Sequence, residues 1–154
     1  MRKPSYLPLL LAVLFLFINT AKAQTTGYEI TITSPADSSN AGRTVTVTGT
    51  ASVPTGTHVW ALARRSDFKP LWYPQRHIEV NGATNEWKTT VNLGEPRDIG
   101  WNFHIGIVTV DATGHDILMK YWLKAVQTGN WYPIEIPNTA SSPEIITVTK
   151  TSDP

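Results

Sequence analysis

The sequence contains no cysteine among its 154 residues. No disulfide can therefore stabilise the fold, which has to depend on a packed hydrophobic core. Consensus sites for N-glycosylation are also missing, because neither Asn85 nor Asn138 is followed two residues later by Ser or Thr. In an exported chain, these two absences favour a bacterial periplasm or exterior over a eukaryotic secretory route.

Clusters of basic residues are lacking as well. The first 23 residues hold three of the 13 basic residues and none of the 12 acidic ones, so the rest of the chain carries 10 basic against 12 acidic side chains, a net charge of −2. Nucleic-acid binding needs a basic surface that displaces counterions, and it is not expected here. The pair Arg64-Arg65 is interpreted as two neighbours on opposite faces of a strand, one of them extending its charge into solvent.

Long apolar runs are confined to the N-terminus. Arg2 and Lys3 precede an apolar run over residues 7–18, and residues 21–23, Ala-Lys-Ala, form a small-x-small cleavage site. This pattern predicts a secretory signal peptide over residues 1–23. The apolar run itself is too short for a membrane span.

Cleavage of the predicted signal peptide defines the mature chain. We expect the mature protein to begin at Gln24 and to form one domain over residues 24–154, long enough to bury a core. No later apolar segment is long enough to cross a membrane after signal cleavage. The predicted location is therefore secreted or periplasmic.

Alternation of apolar and polar residues with a period of two dominates the mature chain and predicts β-strands. The threonines on one side of residues 43–52 suit an exposed pleated surface. Turn residues occupy positions 38–42, and positions 66–75 are predicted to be a loop rich in large side chains. The predicted strands cover residues 25–33, 43–52, 57–65, 77–80, 86–93, 101–110 and 144–151.

The periodicity changes once, before the last strand. Apolar residues recur every three to four positions, which predicts one amphipathic helix over residues 114–128. Thr113 and Asp116 form a variant of the capping box at its start, and Gly129 is a suitable C-cap. The apolar stripe, which includes Tyr121 and Trp122, is expected either to cover the sandwich or to bind a partner.

The segment from Ser34 to Ser52, SPADSSNAGRTVTVTGTAS, resembles the opening of bacterial immunoglobulin-like and fibronectin-III-like envelope modules. A Trp at position 60, facing the core from the third predicted strand, fits the same resemblance. The resemblance implies an all-β, immunoglobulin-like β-sandwich of about seven strands. The helix inserted before the last strand departs from that pattern.

Two aromatic loops are the main candidate binding site. Both contain Trp-Tyr-Pro, at residues 72–74 and 131–133. Planar rings in loops at one end of a sandwich can stack on sugar rings, whereas the ordinary alternative is that they cap the core. The predicted platform for a glycan consists of Trp72, Tyr73, Trp131 and Tyr132, with Arg76 and Asn130 as hydrogen-bonding neighbours.

His104, Asp111, His115 and Asp116 are candidate metal ligands, because three nitrogen or oxygen ligands suffice for Zn²⁺. The spacing follows no metal-binding motif, and Asp116 has an ordinary role at a helix N-terminus. The sequence therefore predicts neither a metal ion nor another cofactor.

The sequence also offers no recognisable catalytic motif: it has no Gly-x-Ser-x-Gly, no Gly-rich phosphate loop and no distinctive carboxylate pair. We expect an exported, non-catalytic binding module of the cell envelope that contacts a glycan through its aromatic loops. The alternative is a structural or adaptor protein that binds another envelope protein through the helix face at Tyr121 and Trp122 or through a sheet edge.

Overall fold

A computed structural model describes residues 28–153, so the predicted signal peptide over residues 1–23 lies outside the described residues. Within residues 28–153, eight strands, one long helix and one 3₁₀ turn follow one another. Their bounds are β1 Glu29–Ser34, β2 Ser39–Ala41, β3 Thr44–Ser52, β4 His58–Arg65, β5 Tyr73–Ile78, β6 Glu86–Asn92, the 3₁₀ turn Pro96–Asp98, β7 Asn102–Val110, α1 Ala112–Thr128 and β8 Glu144–Lys150.

The strands form two sheets packed face to face, which confirms a β-sandwich with one helix. One sheet has the order β1-β3-β6, and the other has the order β2-β8-β7-β4-β5. All strand pairs are antiparallel except β2 with β8. The inner faces bury the main core, in which Val47, Ala61 and Ile105 are inaccessible to solvent.

Strand β3 shows how the sequence sets the sandwich. Val45 and Val47 point into the core, and Thr44 and Thr46 point to solvent, as the alternation predicts. Gly49 stands at an inward position where a Cβ atom would overlap the Thr31 carbonyl and the Trp87 ring. The strand therefore needs glycine there to pack tightly on both neighbours.

Strand β4 is buried on both faces, because helix α1 covers the outer face of the five-stranded sheet. A second core lies between helix and sheet and contains Trp60, Leu62 and Leu118. Trp60 therefore packs under the helix, not between the sheets where the immunoglobulin resemblance placed it. Trp60 therefore stabilises the packing of the helix on the sheet and not the packing of one sheet on the other.

The helix lies where the sequence predicts it but begins two residues earlier, at Ala112. The cap is Asp111, whose carboxylate accepts a hydrogen bond from the Gly114 N–H at 2.8 Å; the predicted capping box from Thr113 is wrong. Gly129 ends the helix with a φ of 70°, as predicted. No helix within residues 28–153 is long and apolar enough to span a bilayer.

Two stretches predicted to lack strands contain them. Residues 39–41, predicted as a turn, form β2 by pairing with the end of β8. The last three residues of the predicted loop at 66–75 belong to β5, which begins at Tyr73. Pro74 is tolerated there because β5 is an edge strand and the β4–β5 register shifts beside its partner Leu62.

Candidate functional site

The two Trp-Tyr-Pro segments lie side by side, but their tryptophans have opposite environments. Trp72 and Ile134 exchange two backbone hydrogen bonds of 2.8 Å, which joins the segments. Trp131 is 44% exposed, whereas Trp72 is 3% exposed. The Trp72 ring fits against β7 because Gly106 has no side chain; a Cβ there would lie 3.0 Å from the ring. Trp72 has no free face for a sugar, so its predicted place in the platform is wrong.

The second segment is held against the helix by Tyr121. The Tyr121 hydroxyl donates a hydrogen bond to the Tyr132 carbonyl at 2.7 Å, and its ring meets the rings of Trp131 and Tyr132 edge to face. Burial raises the pKa of Tyr121 to about 12. Since Tyr121 is buried, it is a core residue, and its predicted role in binding a partner is wrong.

A groove of about 730 Å³ lies beside these segments. Four of the residues predicted for binding line it: Tyr73, Arg76, Trp122 and Trp131. Trp122 belonged to the predicted protein-binding face, so the structure merges parts of two separate predictions into one surface. The exposed residues Asn130 and Tyr132 lie outside the groove lining.

Five arginines also line the groove, which we call the arginine groove: Arg43, Arg64, Arg65, Arg76 and Arg97. Two of them are neutralised locally. Arg65 pairs with Asp67 at 2.7 Å and with Asp98 at 2.9 Å. Arg43 approaches Glu95 and Asp153 at 3.7 and 3.6 Å. Within residues 28–153, the remaining three make no salt bridge, so the groove carries uncompensated positive charge.

Arg64 is the most unusual of these arginines because it is 9% exposed. Its guanidinium lies 4.1 Å from the centroid of the Trp72 ring, and its Nε donates to His104 Nδ1 at 3.4 Å. Burial lowers the pKa of Arg64; burial and the nearby arginine charge lower the pKa of His104. Within residues 28–153 this buried charge has an aromatic ring and an imidazole as partners but no carboxylate, and an acidic ligand would supply the missing anion.

The four residues weighed as a metal set do not form a cluster. His104 lies beside Arg64, and Asp111 caps the helix. His115 lies instead with His58 and His77, one ring nitrogen of each being within 4.8 Å of the others. Burial lowers the pKa values of His77 and His115, so both favour the neutral imidazole.

The chain matches no protein-family model and no curated protein sequence. Arg64 and the His58–His77 pair were not among the sequence-based candidates. The apolar alternation of β4 was a usable signal for Arg64, since it places that arginine on the same face as Trp60 and Leu62.

Proposed function

We propose that this protein is an exported, non-catalytic binding module of the cell envelope and that the arginine groove holds an acidic glycan. The observation that carries the proposal is Arg64, a buried cation on the groove wall that has no carboxylate partner among residues 28–153. A guanidinium in that position is prepared to receive a carboxylate by two parallel hydrogen bonds.

The aromatic residues of the groove supply the complementary part of sugar recognition. Tyr73, Trp122 and Trp131 present ring surface beside the arginines. A sugar ring offers an apolar C–H face for such a ring and, in a uronic acid, an equatorial carboxylate for an arginine. Tyr73 and Trp131 come from segments joined by the Trp72–Ile134 bridge, so these two aromatic rings have a fixed relative position.

We also propose that the sandwich is a divergent immunoglobulin-like module. Two packed, mostly antiparallel sheets and the SPADSSNAGRTVTVTGTAS segment support this relation. The outer-face helix and the position of Trp60 beneath it are departures from that family.

Binding to another envelope protein is the second candidate function. The helix exposes three apolar side chains, Ile117, Leu123 and Val126, each about half accessible. Leu123 and Val126, three positions apart, lie on the same side of the helix and are suited to docking a partner, whereas Ile117 lies on another side. Val126 also lines the arginine groove, whereas Ile117 and Leu123 do not, so variants of Ile117 and Leu123 separate the two candidate functions.

The test compares polygalacturonate with its fully methyl-esterified form, because the two polymers share a backbone and differ in the carboxylate charge. We expect the mature protein to bind the acid and not the ester. Arg76→Ala and Trp131→Ala should each weaken binding about tenfold or more, since an ionic hydrogen bond or a stacked ring contributes at least about 1.4 kcal/mol. Lys88→Ala removes an equal charge outside the groove and should bind normally.

Equal binding of acid and ester would overturn the role of the carboxylate. Failure to bind this and other acidic polysaccharides would overturn the glycan proposal and favour the protein partner. Substituting Ile117 and Leu123 by Ser, with crosslinking in the native envelope, then tests the helix face.

A further inference from the structure

Three of the four histidines in the chain meet at one place on the outer face of the five-stranded sheet. Trp60 on β4 pairs with His77 on β5, and the alternation of β4 puts His58 on the same face as Trp60. His115, in the first turn of α1, lies above them. The ring centroid of His115 is 3.9 Å from that of His58 and 4.9 Å from that of His77.

We propose that His58, His77 and His115 bind one divalent transition metal ion of the Zn²⁺, Ni²⁺ or Cu²⁺ class. Imidazole nitrogen is a preferred ligand of these ions, whereas Mg²⁺ and Ca²⁺ select oxygen. Three protein nitrogens fit the number of ligands in a zinc site that keeps one position open. The three side chains are each partly buried, which limits competition by bulk water without closing the site.

The carboxylate of Glu79 supports this arrangement. Its Oε1 lies 3.2 Å from His77 Nδ1, which places the ring proton on Nδ1 and leaves the lone pair of Nε2 free for a metal ion. A carboxylate behind a ligating histidine is the usual outer-shell partner in such sites. Glu79 and Asp116 also place negative charge near His115, in favour of a bound cation.

The cluster is close to ligand geometry but has to contract. The ligand nitrogens lie within 4.8 Å of one another. Around Zn²⁺ with bonds of 2.0–2.1 Å, tetrahedral nitrogens are about 3.4 Å apart. The rings of His58 and His115 are stacked with an interplanar angle of 21°, so one of the two has to rotate about its side-chain torsions before both can direct a nitrogen lone pair at the same ion.

Trp60 supplies a built-in reporter of metal binding. Its indole N–H donates to His115 Nδ1 at 3.1 Å, so in this arrangement Nδ1 is the acceptor and Nε2 carries the proton. A metal bound at Nδ1 takes the lone pair that accepts this hydrogen bond. A metal bound at Nε2 moves the ring proton to Nδ1, which then cannot accept it. Neutral His115 therefore loses the Trp60 hydrogen bond by either route.

The proposal is tested on mature protein prepared without a polyhistidine tag and treated with chelator. Zn²⁺ is titrated calorimetrically, and the indole N–H resonances are followed by ¹H–¹⁵N NMR, with Trp60→Phe to assign the Trp60 signal. We expect one ion per chain, no response to Mg²⁺ and a displaced Trp60 resonance. His77→Gln and His58→Gln should each weaken binding more than about 100-fold, because each removes a ligand.

His104→Gln is the matched control, since His104 is the one histidine outside the cluster. It should bind Zn²⁺ as the parent does. A Kd weaker than about 100 µM, which is only about 5 kcal/mol of binding, would overturn the proposal. Unchanged Zn²⁺ affinity in folded His77→Gln and His58→Gln would also overturn the proposal. A Trp60 resonance that stays in place as the ion binds would overturn it as well.

Discussion

The guanidinium of Arg64 and the ring of Trp72 stack 4.1 Å apart inside the protein. Trp72 therefore lies behind Arg64 on the wall of the arginine groove and leaves no ring face exposed to solvent. The pair explains why two identical Trp-Tyr-Pro segments have different roles: one supplies the buried support and the other supplies an exposed ring.

Trp72→Ala and Trp131→Ala are expected to differ in stability. Removal of the buried Trp72 ring leaves a cavity and should lower the free energy of unfolding by roughly 3–5 kcal/mol. Removal of the half-exposed Trp131 ring should lower it by less than about 1 kcal/mol. Urea denaturation monitored by circular dichroism measures both, and equal losses would contradict the buried position of Trp72.

Replacing Arg64 by Met separates binding from stability. Met has a similar length and removes the buried charge, so the free energy of unfolding should be unchanged or raised by about 1 kcal/mol, while affinity for an acidic glycan falls. Arg65→Met is the matched control, because it breaks the pairs with Asp67 and Asp98 and should lose about 1–3 kcal/mol. Destabilisation by Arg64→Met as large as that of Arg65→Met would argue for a purely structural Arg64.

The strands and the helix were largely predictable because their signals are local. The alternation of β3 and the helical period ending at Gly129 each require only neighbouring residues. Strand β2 was missed because three residues of turn composition become a strand only by pairing with β8, more than 100 residues away. Its formation is a tertiary effect that composition does not record.

The sites were less predictable because they depend on strand register and on what covers each face. Because the two tripeptides are identical, they gave no reason to bury Trp72 and expose Trp131. The space for the buried Trp72 ring comes from Gly106 on β7, which has no side chain. Likewise, His58 and His77 meet through the β4–β5 register, which a shift between Ala61 and Leu62 alters. Such a bulge changes the β4 partner of every β5 residue that follows it, His77 included, and leaves no simple sequence signal.

Lys150 and Asp153 should behave as a coupled pair. Lys150 is fully buried, and its ammonium donates to the Glu95 carbonyl and to the Asp153 carboxylate. Asp153→Asn leaves the buried cation without its close anion and should lower the free energy of unfolding by about 3 kcal/mol. Adding Lys150→Met should recover part of that loss, as a double-mutant cycle by urea denaturation will measure. Additive losses would show that the two residues do not interact.

Tyr121 should make stability depend on pH in the alkaline range. Its pKa rises from 10.0 in the unfolded chain to about 12 in the fold, because burial disfavours the phenolate. Below pH 10 both states hold the proton and the contribution is fully present. Between pH 10 and about 12 the unfolded chain loses the proton first, so the free energy of unfolding falls as pH rises.

The matched variant is Tyr121→Phe, which keeps the ring and removes the ionising group. It should lose about 1 kcal/mol at neutral pH, because the Tyr132 carbonyl loses its hydrogen bond at the edge of the platform. Other groups also titrate above pH 10, so the difference between parent and variant isolates Tyr121. That difference, measured by urea denaturation at a series of pH values, should shrink and then reverse as pH approaches 12. A difference that is constant with pH would mean that the Tyr121 hydroxyl is not buried in the folded protein.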